Sequence, residues 1–423
     1  MRGGLPKGLP QTVALAGLLL LLGCSGTAPL PADGGAPAVP PTERQVMITY
    51  PPGPPSLWAR TTADLAQNYG LRTIYSWTMA SLGEQCVVFE VPRDRSPQEL
   101  VRRLASDPRV GSAQTVETFQ VQGQAQGSQT QGSQAQGSND PYAHLQHGSQ
   151  AIRIDQAHRM ATGKGVKIAM VDTGVDFDHP DLRGRVVKAQ SFVDQGERTF
   201  TTDIHGTAVA GLIAASANND VGIVGVAPGA EVYALKACWQ QPPGSREAVC
   251  NSYTLVKAVD FAITQGVQVL NFSLAGPRDP LLGRLIGHAL SRGIVVVAAD
   301  GGAPSRDFPA SYQGVIGILG SDDLRGGLTV PAGGKPLSTL AAPSVDILTT
   351  VPHGSYDFFS GSSLAAAQVS GIAALLLEKS PKLTPAQLAA IIHKTARTLS
   401  PSTIAQVDAC AAVASLAGGG GCG

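Results

Sequence analysis

The sequence predicts an α/β fold for the C-terminal two thirds of the chain, with a mostly parallel, doubly wound sheet that carries helices on both faces. Five apolar runs rich in β-branched residues follow one another, with helical patterns between them: VKIAMV, VYALKA, VQVLNFS, IVVVAA and VIGILGS. Continuous apolar strands that alternate with helices are typical of parallel strands buried on both faces. Ligands of such sheets bind beyond the carboxyl ends of the strands, so polar residues at those ends are the functional candidates.

A smaller α+β domain is predicted over residues 45–121. The strand VMITY is followed by a helix that Gly70 ends, by the strands LRTIYSWTM and CVVFEV, by a helix that Ser96 caps, and by a last strand, VGSAQTVETFQV. Capping by Ser and termination by Gly are common signals of helix boundaries. The order β-α-β-β-α-β is that of a ferredoxin-like unit.

Composition sets the remaining boundaries. The chain has 423 residues, of which 43% are hydrophobic, so a large buried core is expected rather than disorder over most of the length. Residues 24–44 are rich in Pro and Gly, which indicates a tether. Residues 122–139 (QGQAQGSQTQGSQAQGSN) hold no apolar residue larger than Ala, which indicates a flexible linker. The main domain is expected over 140–415, followed by a Gly-rich tail over 416–423.

The charge balance excludes one class of partner. Lys and Arg together number 31, Asp and Glu also number 31, and the sequence has no basic run. Binding to a nucleic-acid backbone needs a basic surface. No nucleic-acid partner is therefore expected.

Residues 1–23 have the pattern of a signal peptide. Arg2 and Lys7 precede the apolar run Val13–Leu22, which is too short to span a bilayer as a mature helix. The sequence Leu-Leu-Gly-Cys that ends at Cys24 resembles the bacterial lipobox. The resemblance implies a lipid on Cys24 and a place in the bacterial cell envelope, anchored in the outer membrane or on the periplasmic side, with release after processing left open. An ordinary signal peptide with an incidental Cys is the other interpretation.

Three polar residues stand at the expected functional positions. Asp172 follows the strand VKIAMV, and His205 and Ser363 each begin an apolar helix, with sequence separations of 33 and 158 residues between them. A Ser hydroxyl is a weak nucleophile at neutral pH and needs a base, and the base needs a carboxylate that fixes its tautomer. The three residues together predict a catalytic triad. Taken singly, each fits a structural role in a turn or at a helix N-terminus.

Seven segments in the same order resemble the motifs of the subtilisin-like serine proteases, the subtilases or peptidase family S8. They are VDTGVDFDHPDL, HGTAVAG, VGIVGVAPGAEVYALKA, VQVLNFSLAG, FPASYQGVIGILGS, TLAAPSVDILTTVP and SGSSLAAAQVSG, and the resemblance covers roughly residues 139–415. It implies the subtilisin fold, the chain order Asp, His, Ser for the triad, and hydrolysis of a polypeptide substrate through an acyl-enzyme. It implies no organic cofactor.

The same resemblance assigns binding roles to backbone segments. The family strand that pairs with extended substrate corresponds to four residues: Ser273, Leu274, Ala275 and Gly276. The family's oxyanion-hole Asn has no counterpart, because the chain reads Ala-Ala-Asp-Gly-Gly, so three residues are candidates for its position: Asp300, Gly301 and Gly302. In subtilisin, loss of that donor lowers kcat by about 10²–10³. The expectation is a slow enzyme.

The smaller domain resembles a subtilase propeptide in fold and position. The resemblance implies that residues 45–121 assist folding and inhibit the protease. The accessible linker over 122–139 is the expected site of processing.

A structural calcium ion is also implied by the resemblance. The family's calcium loop resembles Asn218–Ile223, with one carboxylate supplied from the first motif. The ligands carried over are hard oxygen donors, which calcium prefers: Asp181, Asn219, Val221 and Ile223. A plain Asn/Gly turn without an ion is the other interpretation.

The cysteines predict two disulfides. With Cys24 lipidated, five of the six cysteines remain in a compartment where disulfides persist. A bond between Cys238 and Cys250 would pin the excursion WQQPPGSREAV and contribute about 3 kcal/mol through loop entropy. A bond between Cys410 and Cys422 would close the tail. Cys86 is left as a buried apolar residue.

Three functions are consistent with these observations. The first is a lipid-anchored, monomeric serine endopeptidase that its own propeptide inhibits. The second is a catalytically impaired lipoprotein of the same fold that binds peptides or partners at the cell surface. The third is an esterase or transferase that uses the same triad.

Overall fold

The apolar runs of the main domain form the central strands of one sheet in the computed structural model. The structure describes residues 42–123, 139–193, 196–242, 244–302, 305–322, 327–329, 340–398, 404–416 and 422. The predicted signal peptide with Cys24, nearly all of the tether, most of the linker and most of the tail lie outside the described residues. From Pro41 onward the chain forms one compact unit.

The strands of the described residues are β1 (Gln45–Tyr50), β2 (Arg72–Met79), β3 (Glu84–Glu90), β4 (Ser112–Thr115), β5 (Thr118–Val121), β6 (Lys167–Asp172), β7 (Val186–Ser191), β8 (Glu231–Lys236), β9 (Cys238–Gln240), β10 (Ala248–Asn251), β11 (Val269–Phe272), β12 (Leu274–Ala275), β13 (Val295–Ala299), β14 (Ile316–Asp322), β15 (Gly327–Thr329), β16 (Leu340–Pro343), β17 (Ile347–Val351), β18 (Ser355–Phe359), β19 (Arg397–Thr398) and β20 (Ala405–Gln406).

The α-helices of the described residues are α1 (Pro55–Tyr69), α2 (Pro97–Ala105), α3 (His147–Ala151), α4 (Ile154–His158), α5 (Ile204–Ala214), α6 (Ser252–Thr264), α7 (Pro280–Ser291), α8 (Ser362–Lys379), α9 (Pro385–Thr395) and α10 (Ala409–Ala414). Short 3₁₀ helices cover Thr42–Arg44, Ala143–Leu145 and Gly196–Thr202. Within the described residues, no helix combines the length and apolar character needed to cross a bilayer.

The central sheet is mostly parallel, as the sequence predicts. Its order is β19-β20-β16-β14-β13-β11-β6-β8-β7, and β15 pairs with β14. The pairs from β20 to β7 along this order are parallel, whereas β19 and β15 each pair antiparallel with a neighbour. The predicted α/β class is confirmed.

Both faces of this sheet are buried. Ile168 and Met170 of β6 point into a core shared with α5, α8 and α10, whereas Ala169 and Val171 point into a second core with α6 and α7. Because successive side chains of a strand face opposite sides, a strand covered on both sides must be apolar throughout. This explains why the strand runs lack the alternation of a half-exposed sheet.

The smaller domain has the predicted order of elements. Its sheet is β2-β3-β1-β4, with antiparallel pairing of β1 to β3 and β4 and of β2 to β3. The helix α1 ends at Gly70, which adopts a left-handed conformation with φ 57°, and Ser96 caps α2 by accepting from the Glu99 N–H. A separate core of this domain includes Val46, Phe89 and Leu104.

One prediction for the smaller domain is wrong in detail. The last strand does not run unbroken to residue 121, because it stops at Thr115 and resumes as β5 in a different sheet. Between the two, Glu117 exchanges hydrogen bonds with Ser252 at the start of α6: its N–H donates to Ser252 Oγ at 2.8 Å, and its carbonyl accepts from the Ser252 N–H at 3.0 Å. These bonds turn the chain onto the main domain.

The smaller domain packs on α6 and α7. Asp260 of α6 accepts hydrogen bonds from the N–H groups of Ala80 (3.0 Å) and Ser81 (2.8 Å) in the turn between β2 and β3. The Leu281 N–H at the start of α7 donates to Gln114 Oε1 at 2.9 Å. Met47, Met79, Cys86 and Val88 from the smaller domain share the core of α6 and α7.

Both predicted disulfides are present. Cys238 bonds to Cys250 and Cys410 bonds to Cys422. Cys86 is free and buried, and burial raises the pKa of its thiol.

Candidate active site

Three element ends converge on one point of the main domain. Asp172 is the last residue of β6, and His205 and Ser363 are each the second residue of a helix, α5 and α8. His205 Nδ1 lies 2.8 Å from Asp172 Oδ1, and His205 Nε2 lies 3.0 Å from Ser363 Oγ. With Nδ1 protonated and directed at the carboxylate, Nε2 is the acceptor for the Ser hydroxyl. The structure thus brings the three predicted triad residues into one hydrogen-bonded chain.

Backbone hydrogen bonds fix the segment of Asp172 to the segment of His205. The Gly206 N–H donates to Thr173 Oγ1 at 2.8 Å, and the Gly174 N–H donates to Asp203 Oδ2 at 2.7 Å. A Cβ on Gly206 would lie 2.3 Å from the Gly174 carbonyl oxygen, so only glycine allows the two segments this close. The reciprocal bonds hold the carboxylate and the imidazole in register.

A buried ion pair lies behind these segments. Lys236 ends β8 beside Asp172 in the sheet register, and its ammonium donates to Asp203 Oδ2 and to Thr199 Oγ1 (3.1 Å). Burial raises the pKa of Asp203, and the Lys236 ammonium opposes that rise. A buried carboxylate beside the triad is thus kept next to a cation, as buried charges require.

The substrate cleft is filled by the chain itself. Strand β5 lies between β12 and β10, with Leu274 opposite Val121, Ala275 opposite Gln120, and Cys250 opposite Phe119. The Gln122 N–H donates to the Ser273 carbonyl at 3.0 Å. Strand addition by an extended peptide gives affinity through main-chain hydrogen bonds. Ser273, Leu274 and Ala275 pair with β5 in this way.

Gly276 departs from the predicted role. Its N–H donates to the Phe308 carbonyl at 2.9 Å, and its carbonyl accepts from the Phe308 N–H, so its backbone does not pair with β5. A Cβ on Gly276 would lie 2.3 Å from the Phe119 ring. Gly276 therefore lines the site of the Phe119 side chain, and its backbone is held by Phe308.

Gln122 and Gly123 lie on the triad. The Ser363 N–H donates to the Gln122 carbonyl oxygen at 3.0 Å. A Cβ on Gly123 would lie 3.0 Å from His205 Nε2 and 3.2 Å from Ser363 Oγ. A Cβ on Gly361 would lie 2.4 Å from the Gln122 carbonyl oxygen, so glycine is required for this approach. The carbonyl of Gln122 is thus held at the N-terminus of α8, where a developing negative charge is favoured.

Comparison with known proteins agrees with this geometry. The sequence model of the subtilase family matches residues 163–411. The chain belongs to the subtilase family. It is 36% identical over 266 residues to thermitase of Thermoactinomyces vulgaris, an alignment that spans 62% of this chain and 92% of thermitase. It is 34% identical over 267 residues to subtilisin E of Bacillus subtilis, across 61% of this chain and 68% of that one. This subtilase is thus a subtilisin-like serine endopeptidase by family.

A solved structure supports the fold of this subtilase over most of its length. The structure of fervidolysin from Fervidobacterium pennivorans, a keratinolytic enzyme related to subtilisin, matches with a TM-score of 0.73. The match covers 88% of this chain and 61% of fervidolysin, at 22% identity. At that identity the likeness concerns the fold alone.

The three oxyanion candidates of this subtilase lie beside Gln122 in a closed turn. The Asp300 N–H donates to the Ile318 carbonyl at 2.8 Å, and Asp300 Oδ1 accepts from the Gly302 N–H at 2.8 Å. A Cβ on Gly301 would lie 3.5 Å from Gln122 Oε1. In the described part of the chain, the hydrogen bond to the Gln122 carbonyl comes from the Ser363 N–H. The N–H of Gly302 is directed at the carboxylate of Asp300 instead.

Subtilases generally bind calcium. In this chain Asp181 Oδ1 accepts from Asn219 Nδ2 at 2.9 Å, and its Oδ2 accepts from the Ile223 N–H and the Tyr356 hydroxyl, both at 3.0 Å. The Val221 N–H donates to Asn219 Oδ1 at 3.2 Å. Asn219, Val221 and Ile223 therefore lie on one loop, and Asp181, from the segment after β6, is hydrogen-bonded to it. Among the described residues, no group of three or more His, Cys, Asp or Glu side chains has metal-binding geometry.

A further carboxylate reaches the same loop. Asp140 is 4% exposed, and its two oxygens accept from the N–H groups of Asn218 (2.7 Å) and Asn219 (3.0 Å). Burial raises the pKa of Asp181. Asp140 and Asp181 thus contact the loop 218–223 from two other segments, and a hard divalent cation would offset the desolvation of such buried carboxylates.

Sequence reasoning missed the residues that fill the cleft. The segment Phe119–Gly123 was assigned to the end of the smaller domain and the start of the linker, and no sequence signal distinguishes its apolar Phe and Val from core residues. Where the structure has strand β10, the sequence predicts only a loop closed by a disulfide. The buried Lys236 has one available signal, since a Lys that ends an apolar strand beside a catalytic Asp is unusual in a core.

Proposed function

We propose that this subtilase is a latent serine endopeptidase that hydrolyses peptide bonds through Asp172, His205 and Ser363, and that its first cut is the bond between Gln122 and Gly123 in its own chain. One observation carries the proposal: the Gln122 carbonyl accepts from the Ser363 N–H at 3.0 Å while the Ser363 hydroxyl is bound to His205. A peptide carbonyl thereby stands next to an activated nucleophile.

Each group of the triad has one task in this reaction. His205 Nε2 takes the proton as Ser363 Oγ bonds to the carbonyl carbon of Gln122, and the carbonyl oxygen becomes an oxyanion that the Ser363 N–H stabilises. His205 then gives the proton to the amide nitrogen of Gly123, the peptide bond breaks, and Gln122 stays as an ester on Ser363. Water, deprotonated by His205, hydrolyses the ester. Asp172 orients His205 and stabilises its imidazolium form throughout.

Intact-mass analysis of the full-length protein tests the first cut. The wild type should yield one fragment that ends at Gln122 and one that begins at Gly123, whereas the Ser363→Ala variant should stay in one piece. Addition of processed wild type to the Ser363→Ala variant distinguishes cleavage within the chain from cleavage between molecules. A new N-terminus within 124–139 would move the processing site into the linker, and an uncut wild type would contradict self-processing.

After the cut, residues 45–121 are proposed to remain as the inhibitor. Support comes from the pairing of β5 with two strands of the cleft and from the bonds of Asp260 to the turn between β2 and β3. Propeptide inhibition is general behaviour of the family. The processed protein should therefore show a lag in activity that ends when the smaller domain is degraded or dissociates, and a separately added smaller domain should restore the inhibition.

A catalytically impaired peptide-binding protein is the second candidate. The observation in its favour is the turn at Asp300, in which the Gly302 N–H donates to a carboxylate rather than to the substrate carbonyl. A fluorophosphonate probe separates the two candidates, because it labels an activated Ser. Label on the processed wild type and none on Ser363→Ala supports the protease, or the esterase with the same triad, which a peptide substrate then distinguishes. No Ser363-dependent label and no casein cleavage support the binding protein.

Calcium is proposed to bind at the loop 218–223, with Asp140 and Asp181 as carboxylate ligands and Asn219, Val221 and Ile223 supplying amide and carbonyl oxygens. The two buried carboxylates that contact this loop support the site. Calcium should raise the melting temperature of the full-length Ser363→Ala protein relative to a chelator, and Asp181→Asn should remove most of that rise. An equal melting temperature with calcium and with chelator would contradict it.

We also propose that Cys24 carries a lipid that anchors the protein, as a monomer, in the bacterial cell envelope. The support is the lipobox-like sequence before Cys24. Labelling of cells with a fatty-acid analogue should mark the wild type and not Cys24→Ala, and the label should fractionate with membranes. Secretion of an unlabelled wild type would contradict the anchor.

A further inference from the structure

The strand that binds the far end of the substrate belongs to a sheet that the chain's own inhibitor completes. The order of this small sheet is β12-β5-β10-β9. Strand β5 of the smaller domain occupies the second place, and β10 contacts it through three residue pairs: Val249 with Gln120, Cys250 with Phe119, and Asn251 with Thr118. The two residues nearest the bond proposed for cleavage, Val121 and Gln122, instead contact β12 and Ser273.

Departure of β5 would leave β10 paired with β9 alone in this sheet. The buried residues Cys238, Ala248 and Cys250 would still pack in the core with α6, but the edge of β10 that faces the substrate would lose its strand partner. A binding strand that must become ordered for each substrate loses affinity through that ordering, whereas a pre-ordered strand does not. Contacts within the hairpin are therefore a further means of holding β10 in place.

The first such means is the disulfide between Cys238 and Cys250. These two residues stand directly opposite each other in β9 and β10, and both are fully buried. Cys250 is at the same time the residue opposite Phe119. The covalent link thus lies at the point of β10 that contacts the fourth residue before the bond proposed for cleavage.

The second means is Arg246, at the other end of the same hairpin. Its guanidinium donates to Asp357 Oδ2 at 2.5 Å and lies over the Phe359 ring, 4.6 Å from the ring centroid. Asp357 and Phe359 belong to β18, which leads into Gly361 and the nucleophile helix. The Gln241 N–H closes the hairpin by donating to the Glu247 carbonyl at 3.0 Å. The hairpin is therefore tied at one end by a disulfide and at the other to the strand before Ser363.

We infer that the Cys238–Cys250 disulfide, with Arg246 as a second tie, is a positioning device for extended substrates. It holds β10 in place to pair with the third and fourth residues before the scissile bond, so its effect is measured with substrates long enough to reach β10. The inference rests on the proposed function and adds to it the residues that position the far end of the substrate.

Two acylated p-nitroanilides test the inference on the processed full-length enzyme. One carries Phe-Gln-Val-Gln, the sequence of residues 119–122, and the other carries Val-Gln alone, which lacks both residues that pair with β10. Removal of the disulfide by Cys238→Ala/Cys250→Ala should lower kcat/KM about 10-fold for the longer substrate and less than about 2-fold for the shorter one.

A matched control separates positioning from stability. The Cys410–Cys422 bond closes a loop with the same sequence separation of 12, so its removal by Cys410→Ala/Cys422→Ala has the same loop-entropy effect. That variant should leave the ratio of kcat/KM for the two substrates unchanged. Arg246→Gln keeps both disulfides and should lower the ratio about 3-fold. If all three variants leave the ratio unchanged, or the disulfide variant lowers both substrates equally, the inference is overturned.

A failure of the proposed function is distinguishable from a failure of this inference. If the wild type hydrolyses neither substrate, the endopeptidase proposal fails. The inference is then decided by the affinity of fluorescein-labelled Phe-Gln-Val-Gln for the wild type and for Cys238→Ala/Cys250→Ala, both measured after an added protease has cut the linker and degraded the smaller domain. A weaker affinity in the variant, with no change in Cys410→Ala/Cys422→Ala, supports it, and equal affinities overturn it.

Discussion

Two groups of residues surround the Gln122 carbonyl, the nucleophile with its triad and the donors to the carbonyl oxygen, and the first group is more completely assembled than the second. On the nucleophile side, His205 contacts Asp172 at 2.8 Å and Ser363 at 3.0 Å, and the segments that carry the carboxylate and the imidazole are joined by two hydrogen bonds from backbone N–H groups to the side chains of Asp203 and Thr173. On the oxyanion side, Ser363 provides an N–H at 3.0 Å, but the neighbouring turn directs the Gly302 N–H to Asp300.

The difference shows that nucleophile activation and oxyanion stabilisation are separable in this fold. The triad depends on three element ends and a buried ion pair, all within the rigid frame of the sheet. A second oxyanion donor depends on the one turn after β13, where the Asp300 carboxylate binds the Gly302 N–H. We therefore expect changes on the nucleophile side to be severe and changes on the oxyanion side to be graded.

The largest effect is expected for the nucleophile itself. Ser363→Ala removes the atom that forms the acyl-enzyme, so kcat for a peptide substrate should fall by about 10⁶, as for the corresponding change in subtilisin. Steady-state kinetics give the value, with the linker of Ser363→Ala cut by an added protease because this variant is expected not to process itself. Ser380→Ala, at the other end of α8, is the control and should leave kcat unchanged. Residual hydrolysis by Ser363→Ala within about 10-fold of the wild type would show that another group is the nucleophile.

The frame of the triad is tested next by the buried ion pair. Asp203→Ala leaves the Lys236 ammonium buried without its carboxylate, and both side chains are almost fully covered. The free energy of unfolding should fall by about 3 kcal/mol, measured by urea denaturation. The double change Asp203→Ala/Lys236→Met removes the charge as well and should recover at least half of the loss. A double variant as unstable as the single one would mean that the Asp203 carboxylate stabilises the fold through its bond from the Gly174 N–H and not through the ion pair.

A smaller, opposite effect is expected on the oxyanion side. Asp300→Asn keeps an oxygen for the Gly302 N–H but removes a negative charge near the carbonyl where negative charge develops. The turn of Asp300 is beside Gln122, since a Cβ on Gly301 would lie 3.5 Å from Gln122 Oε1, so the value of kcat should rise about 10-fold with little change in KM. Asp307→Asn, a second carboxylate in the following loop, serves as the control for a general effect of charge. A fall in kcat for Asp300→Asn would show that the carboxylate shapes the turn more than it disfavours the oxyanion.

The smallest effect is expected away from the catalytic groups, where the smaller domain packs on α7. Asp279 caps α7 beneath Gln114 of the smaller domain, its Oδ2 has no hydrogen-bond partner among the described residues, and burial raises its pKa. A raised carboxyl pKa means that the contribution to stability is full at acidic pH, below the ordinary carboxyl value, and is lost as the pH rises through the raised value.

Asp279→Asn keeps a good helix cap and removes this titration. In the uncut Ser363→Ala background, the melting temperature of the Asp279→Asn protein relative to its parent should therefore rise by about 2 °C between pH 4 and pH 8. Neighbouring groups that face Asp279 include Ser252, Gln114 and the Glu117 carboxylate, whose charge adds to the rise in pKa. A pH-independent difference between the two proteins would contradict the assignment.

Local patterns in the sequence were sufficient for the architecture and for the positions of the triad. The strand runs could only be buried on both faces, because they lack alternation, and this placed Asp172 at a carboxyl end of the sheet. Gly70 and Ser96 marked the helix boundaries of the smaller domain at the residues the structure has. The spacing of the cysteines predicted both disulfides. In each case the physical reason for the prediction lies within short segments of the sequence.

Contacts between distant segments were decided only by the tertiary structure. Nothing in FQVQG distinguishes a strand that fills a cleft from the end of a small domain, because the partners of that strand lie more than a hundred residues away in β10 and β12. The Gly302 N–H is occupied because the Asp300 carboxylate accepts from it, and the charge on Lys236 is tolerated only because Asp203 lies against it. Apolar patterning follows from burial alone and can be read locally. The geometry between elements decides whether a strand fills a cleft, which acceptor an N–H reaches and which buried charges pair. These features therefore appear only in the folded chain.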